Sequence, residues 1–237
     1  MSDILLFVFE GEVTESKVLS SFRRFFIESN SCTIIEAAYK TNIYSLYSQL
    51  RDDPDLDIGA YLIERMGKSN SIDREKISEV HLFFDLDSHD PSYSCERVEA
   101  ILSYFDNETE NGKIHISYPM VEAIKHVNNN SDFNNTITDV TLGKGYKSLV
   151  HNETEVKYRN VAGLSETDWK HLTRIHCSKA NHLVNQKGEF PHKVITQEEI
   201  YSAQKAQHLN KKVAALSAFP LMALNYYGAN KLDSMTG

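Results

Sequence analysis

The sequence predicts an α/β fold: a four-stranded parallel sheet flanked by helices, followed by a mainly helical C-terminal extension. Two observations support this prediction. Short apolar runs alternate with amphipathic segments over residues 3–127, and the run at 4–9 is continuous, as in a strand buried on both faces. Alternation of strands and helices favours parallel strands joined by right-handed crossovers.

The elements of the first half are expected in a regular order. Each strand is predicted from an apolar run, and each helix from apolar residues recurring every three or four positions. The expected elements are a strand at 4–9, a helix at 14–28 capped by Thr14, a strand at 33–37, a helix through 43–50, a helix at 58–66, a strand at 80–84, a helix through 98–105, a strand at 113–117 and a helix at 120–127.

The second half is expected to form a separate region. Residues 128–139, NNNSDFNNTITD, are rich in Asn and Ser and lack periodicity, so they predict a linker or surface loop. The domains are therefore expected at 1–127 and 140–237. Within the second, Thr196 and Glu199 have the spacing of a capping box at the start of a helix.

The charge balance limits the classes of partner. The 237 residues include 25 Lys and Arg against 33 Asp and Glu, a formal net charge of −8. This balance argues against a protein that coats nucleic acid by bulk positive charge, because phosphate contacts need Lys and Arg. A nucleic-acid partner would require a local basic patch, metal ions or a second subunit.

The apolar segments do not predict a membrane protein. The N-terminal run has no basic region before it and stops at an acid, unlike a signal peptide. The apolar segment 214–224 is shorter than the roughly 20 residues needed to span a bilayer, and it contains Pro220. Three widely separated cysteines without a CxxC pair fit a reducing compartment. We therefore expect a cytoplasmic protein without a membrane partner.

Acidic residues follow two of the predicted strands. Glu10 follows the first, and Asp85 and Asp87 follow the third in HLFFDLDSHD. If the strand conformation persists, the two aspartates point to one face at the carboxyl edge of the sheet, where Glu10 can join them. Converging carboxylates without matching Lys or Arg repel one another, and Mg²⁺ or Mn²⁺ would relieve this repulsion. Such a site suits phosphoryl transfer.

Residues near these acids are candidates for supporting roles. Gly11 would allow a tight turn beside the metal. Glu15 is a candidate second ligand or base, although it would also favour the N-terminus of the helix that it opens. His89 is a candidate proton carrier or outer-shell ligand.

Together these motifs resemble the Toprim domain of topoisomerases, primases and OLD-type nucleases. EGEVTE at 10–15 is most similar to the opening of RloB-like proteins, and HLFFDLDSHD resembles their DxDxH run. Pro119 and Glu122 resemble their NP-x-x-E element, with Tyr118 in the place of Asn. The resemblance covers residues 4–127.

The resemblance implies an activity and a set of metal ligands. It implies a metal-dependent nuclease acting on DNA or RNA, including tRNA, in bacterial defence against phage or in a toxin-like role. The residues that it assigns to the metal are Glu10, Asp85, Asp87, Glu15 and Glu122.

Residues outside these motifs predict substrate and partner contacts. Lys144 and Lys147, in a basic turn, are candidates to steady a substrate phosphate. The apolar and aromatic residues at 219–227 are expected to pack on the domain or on a second copy of the chain. A regulatory partner protein is a further expected partner.

Two other functions fit the same residues. HLFFDLDS resembles the start of haloacid-dehalogenase-like phosphatases, with Asp85 as nucleophile, Asp87 as general acid and Ser117 in the second motif. Its position after an α/β unit, and the lack of a later acidic pair, count against that interpretation. The third possibility is a nucleotide-sensing or partner-binding module without turnover.

Overall fold

The computed structural model describes residues 3–27, 32–53, 56–65, 67, 72–128, 132–143, 145–208 and 211–237. Its strands are β1 (Asp3–Phe9), β2 (Cys32–Ala38), β3 (Ile77–Asp85), β4 (Asp106–Asn107), β5 (Gly112–Ser117), β6 (Ile137–Asp139) and β7 (Lys212–Ala214). Its α-helices are α1 (Thr14–Phe26), α2 (Ile43–Asp52), α3 (Ile58–Arg65), α4 (Cys95–Tyr104), α5 (Gly145–Glu153), α6 (Glu166–Asn185), α7 (Gln197–His208), α8 (Ala218–Tyr227) and α9 (Ala229–Thr236).

The main sheet has five strands in the order β2-β1-β3-β5-β4. Four of them run parallel, and β4 pairs antiparallel with β5 at the edge. The predicted parallel α/β sheet is therefore confirmed, with one short edge strand that was not predicted. Since β1 and β3 are neighbours, Glu10 and the two aspartates leave the sheet side by side.

The apolar run at 4–9 is continuous because β1 lies inside the sheet and is covered on both faces. Leu6, Phe7 and Val8 have no exposed surface. On one face, Phe7 and Phe9 contact Phe83 of β3. This packing holds the end of β1, and with it the position of Glu10, in a fixed relation to β3.

Three local expectations need correction. The helix expected over 120–127 is a 3₁₀ helix limited to Val121–Lys125, after which the backbone turns and Glu155 N–H hydrogen bonds to Val127 O at 3.0 Å. Thr14 is the first residue of α1 rather than its cap. Within the expected linker, residues 137–139 pair with β7, and Phe133 and Thr138 are buried.

The C-terminal half packs against the sheet. Phe219 of α8 stacks on Phe83, with ring centroids 4.6 Å apart. Trp169 of α6 packs edge-on against Phe22 of α1, and its indole N–H donates to Ser21 Oγ at 2.9 Å. The apolar residues of α8 therefore pack on the sheet of the first half of the chain.

Hydrogen bonds also connect α6 and the segment before α8 to the first half of the chain. Tyr118 and Leu216 exchange backbone hydrogen bonds of 2.8 and 2.9 Å. Buried His176 accepts the Ser217 N–H at Nδ1 and donates from Nε2 to Ile124 O at 3.3 Å.

The predicted capping box of Thr196 and Glu199 is present before α7. Among the described residues, no helix is long and apolar enough to cross a bilayer.

Candidate functional site

Glu10 continues the hydrogen-bonding pattern of the sheet beyond the end of β1. Its N–H donates to Phe83 O at 3.3 Å, and its own carbonyl accepts the Lys40 N–H at 3.1 Å. The side chain turns toward β3, where Oε2 accepts the Asp85 N–H at 3.3 Å. The backbone of two neighbouring strands thereby fixes the Glu10 carboxyl beside Asp85.

The chain turns sharply after Asp85. The strand does not continue to Asp87, because Asp87 N–H bends back to Asp85 O at 3.0 Å. Tyr44 of α2 donates its hydroxyl to Asp87 O at 3.2 Å, which anchors the turn. The two aspartates thus reach one site through a turn rather than through strand alternation.

A cavity of about 370 Å³ lies at this edge of the sheet, with Glu10, Asp85, Asp87 and His89 in its wall. The C-terminal half supplies the opposite wall. The other lining residues are Leu86, Ser88, Pro119, Met120, Asp139, Val140, Gly143, Tyr146 and Lys147.

The carboxyl groups of the site are held at a high cost in electrostatic energy. Burial raises the pKa of Glu10 to about 7, the hydrogen bond from Asp85 opposes the rise, and the charges of Asp87, Glu15 and Asp90 add to it. Burial also raises the pKa of Asp85 well above its usual range, and nearby carboxylates contribute to that rise. The site favours neutral acids or a bound cation.

Glu15 lies just behind the pocket. It is buried at the start of α1, and its Oε1 accepts the Gly11 N–H at 3.3 Å. A Cβ atom at Gly11 would lie 2.9 Å from Glu15 Oε2, so a larger residue would displace this carboxylate. Glu15 therefore shapes the turn after β1 while its negative charge acts on Glu10 and Asp85.

Glu122 and Lys147 form an ion pair beside the acids. Lys147 Nζ lies 3.2 Å from Glu122 Oε1, while buried Glu122 Oε2 has no hydrogen-bond partner among the described residues. Burial disfavours the charge on Lys147, but Glu122, Asp85 and Glu15 together raise the pKa of its amine. Lys147 thus stays charged, although it cannot compensate several carboxylates.

His89 connects the two walls of the pocket. Its Nε2 lies 2.6 Å from Val140 O, and the backbone N–H of His89 donates to Asp87 Oδ1 at 3.1 Å. The carbonyl can only accept, so Nε2 carries the hydrogen. A proton-carrying role for His89 would therefore use Nδ1 or require this contact to break.

Comparisons with protein-family models, curated proteins and solved structures find no match.

The donor atoms of the site suit a divalent cation, but the present positions of the side chains do not. Carboxylate oxygens are the ligands that Mg²⁺ and Mn²⁺ prefer, and Glu122 Oε2 is buried without a partner in the part of the chain that the structure describes. Within the described ranges, however, no group of three or more His, Cys, Asp or Glu side chains is arranged to hold a metal ion. Binding would require the carboxylates to turn toward a common point.

The predicted site residues do not all lie in the pocket. It places Glu10, Asp85, Asp87, His89 and Lys147 in one pocket, and Glu15 and Glu122 beside it, whereas Lys144 lies outside the described residues. The sequence does not predict three of the wall residues, Asp139, Val140 and Met120. No local signal marks them, because they reach the pocket through tertiary contacts.

Proposed function

We propose that this protein is a metal-dependent phosphodiesterase that cuts DNA or RNA. The observation that supports it best is the convergence of Glu10, Asp85 and Asp87 on one pocket at the carboxyl edge of a parallel sheet. Burial, together with the charges of Asp87, Glu15 and Asp90, raises the pKa of Glu10, so a cation beside this carboxylate would be stabilising. A role in defence against phage rests on the sequence resemblance alone.

The residues divide the chemistry between holding a cation and positioning a phosphate. Glu10, Asp85 and Asp87 would hold Mg²⁺ or Mn²⁺, with Glu122 and Glu15 as additional oxygen donors. The bound cation supplies Lewis-acid polarisation of the phosphate and activation of the attacking water. Lys147, on the opposite wall, stabilises negative charge that develops on the phosphate oxygens.

The phosphatase interpretation is less well supported by the geometry. Its second motif would need Ser117 at the phosphate, but Ser117 is buried and its Oγ accepts the Ala218 N–H at 3.2 Å. Ser117 is not among the residues that line the pocket. This arrangement favours the phosphodiesterase.

The proposal is tested with purified protein and end-labelled DNA and RNA, each single-stranded and double-stranded. We expect cleavage with Mg²⁺ or Mn²⁺ and none with EDTA. The variants Asp85→Asn and Asp87→Asn should each lower the rate by at least about 10²-fold, a typical loss when one charge-stabilising group is removed. Asp106→Asn, an exposed position on edge strand β4, should cleave normally.

Three results of this experiment would contradict the proposal. They are cleavage in EDTA, full activity of both site variants, and the absence of cleavage of every substrate. Metal-stimulated binding without cleavage would instead favour a nucleotide-sensing module. Release of phosphate from a monoester would favour the phosphatase.

A local basic surface lies beside the pocket despite the net charge. Lys211 and Lys212, exposed at the start of β7, are close to pocket residue Asp139. The pKa of the Asp139 carboxyl is lowered mainly by hydrogen bonds from Thr141 and, to a smaller extent, by these two lysines. With Lys147, they offer a path for a phosphate backbone.

The double variant Lys211→Ala/Lys212→Ala is therefore expected to bind single-stranded DNA and RNA several-fold more weakly. The slope of log Kd against log salt should fall by about 0.7 per lost contact, since fewer counterions are released. Fluorescence anisotropy over a range of salt concentrations measures both quantities. Lys187→Ala/Lys193→Ala is the matched control, because both lysines are exposed between α6 and α7. Equal salt slopes for the two double variants would count against this path.

A further inference from the structure

Three side chains form a hydrogen-bonded chain behind the pocket wall. Tyr146 lines the pocket together with Asp85 and Lys147. Its Oη lies 2.9 Å from His126 Nδ1, and His126 Nε2 lies 2.9 Å from Glu153 Oε2. Tyr146 and His126 are buried, whereas the Glu153 side chain is 47% exposed. These two hydrogen bonds thus connect the pocket to the surface of α5.

The protonation state of His126 decides where the Tyr146 hydroxyl hydrogen points. When the ring is neutral with its hydrogen on Nε2, Tyr146 donates to Nδ1 and Nε2–H donates to Glu153. In the imidazolium form both ring nitrogens donate, one to Glu153 and the other to Tyr146 Oη. The phenolic hydrogen is then free to donate to a group in the pocket.

We propose that Tyr146 is the proton donor to the leaving oxygen, that His126 supplies its proton, and that Glu153 holds the imidazolium. This inference rests on the phosphodiesterase activity proposed above, because it assigns a step of that reaction. Tyr146 is the catalytic residue in this scheme, while His126 and Glu153 act through it. The chemical class of the substrate is a phosphodiester with an alkoxide leaving group.

The step balances in atoms and charge. Water attacks phosphorus and releases one proton to the solvent in the pocket, while the bond from phosphorus to the leaving oxygen breaks with its electron pair on that oxygen. The oxygen takes the Tyr146 hydroxyl proton, while His126 Nδ1 passes its proton to Tyr146 Oη. The products are a phosphate monoester, an alcohol, a neutral imidazole and an intact phenol, with the proton of the attacking water left in the pocket. After product release, the proton left by the attacking water returns through Tyr146 to His126.

The surroundings of Tyr146 suit a proton donor. Burial raises the pKa of the phenol well above its usual range, and the charges of Glu122, Glu153 and Asp85 raise it further. Tyr146 thus keeps its proton until a strongly basic alkoxide develops next to it. Of the other potential donors in the wall, His89 Nε2 contacts Val140 O, and Lys147, whose pKa is raised by Glu122, Asp85 and Glu15, keeps its proton and stabilises the phosphate by its charge.

The test compares two substrates that differ in their need for a proton. An oligonucleotide leaves as an alkoxide and needs a donor, whereas p-nitrophenolate leaves from bis(p-nitrophenyl) phosphate without one. With Mn²⁺, Tyr146→Phe should lower kcat on the oligonucleotide by about 10²-fold or more, a typical contribution of general acid catalysis. Its kcat on bis(p-nitrophenyl) phosphate should change by less than about threefold. Tyr158→Phe, the same change at a buried tyrosine outside the pocket wall, should affect neither substrate.

Each outcome either supports or overturns the donor role of Tyr146. A selective loss on the oligonucleotide supports the donor role. Equal losses on both substrates indicate a structural role and overturn it, as does an unchanged rate. If wild-type protein hydrolyses neither substrate, the phosphodiesterase proposal fails and the donor role fails with it. Should Tyr146→Phe fold poorly, the half-exposed Glu153→Gln gives the same comparison, with a smaller expected loss.

Discussion

Replacing Glu10 by glutamine is expected to stabilise the metal-free protein at pH 8 and to abolish phosphodiester hydrolysis. The folded protein binds the Glu10 proton more tightly than the unfolded chain, because the pKa of this carboxyl rises from 4.5 to about 7 on folding. Folding stability is therefore lost as the pH rises from about 4.5 through about 7. The full loss is on the order of 3 kcal/mol, and glutamine avoids it.

Chemical unfolding in EDTA at pH 5 and pH 8 measures this effect. The gain from Glu10→Gln should be largest at pH 8 and small at pH 5. Glu12→Gln is the matched control, since Glu12 is exposed and its ion pair with Lys40 contributes little. Mn²⁺ should raise the melting temperature of the wild type more than that of Glu10→Gln. A Glu10→Gln protein less stable than the wild type at pH 8 would contradict the electrostatic account.

Replacing Phe219 by alanine is expected to cost about 3–5 kcal/mol of folding stability. Phe219 is buried between the sheet and α1, where its ring contacts Phe83, Phe9 and Phe22. The variant leaves a cavity beneath α8 that the surrounding rings cannot fill. Tyr226→Ala, on the same helix but 41% exposed, should cost far less.

This variant also tests the predicted division into domains at 1–127 and 140–237. Because Phe219 joins α8 to β3, we expect a single unfolding transition that shifts as a whole, seen alike by circular dichroism and tryptophan fluorescence. Trp169 reports on α6 and on its contact with α1, and the ellipticity reports on the whole chain. Two transitions, with only the tryptophan signal shifted by Phe219→Ala, would instead support two independent domains.

The sequence predicts the sheet well because its strands can be recognised from short local stretches of sequence. A strand covered on both faces is marked by an apolar run, which is continuous in β1 and is interrupted in Val80–Phe84 of β3 only by the buried His81. The acids that follow them were predicted to meet for the same reason, since the carboxyl ends of parallel strands share an edge. Strand β4, at two residues, is too short to leave a periodic signal.

The remainder of the site depends on distant contacts that no local pattern encodes. The Asn-rich segment before α5 looks like a linker, yet Phe133 is buried and its ring packs against His176 of α6. Similarly, helical spacing after Pro119 predicted an α-helix, whereas His126 turns away to meet Tyr146 and Glu153. Both features follow from how the second half of the chain lies on the first.

The two walls of the pocket come from distant parts of the chain, and this has a consequence for synthesis on the ribosome. Glu10, Asp85 and Asp87 are made early. The other wall includes Asp139, which pairs with Lys212 of β7, and α8 covers the sheet only later. We therefore expect the pocket to assemble only after residues 211–227 have been translated. A nuclease built in this way would stay inert as a nascent chain, while it is still surrounded by messenger, ribosomal and transfer RNA.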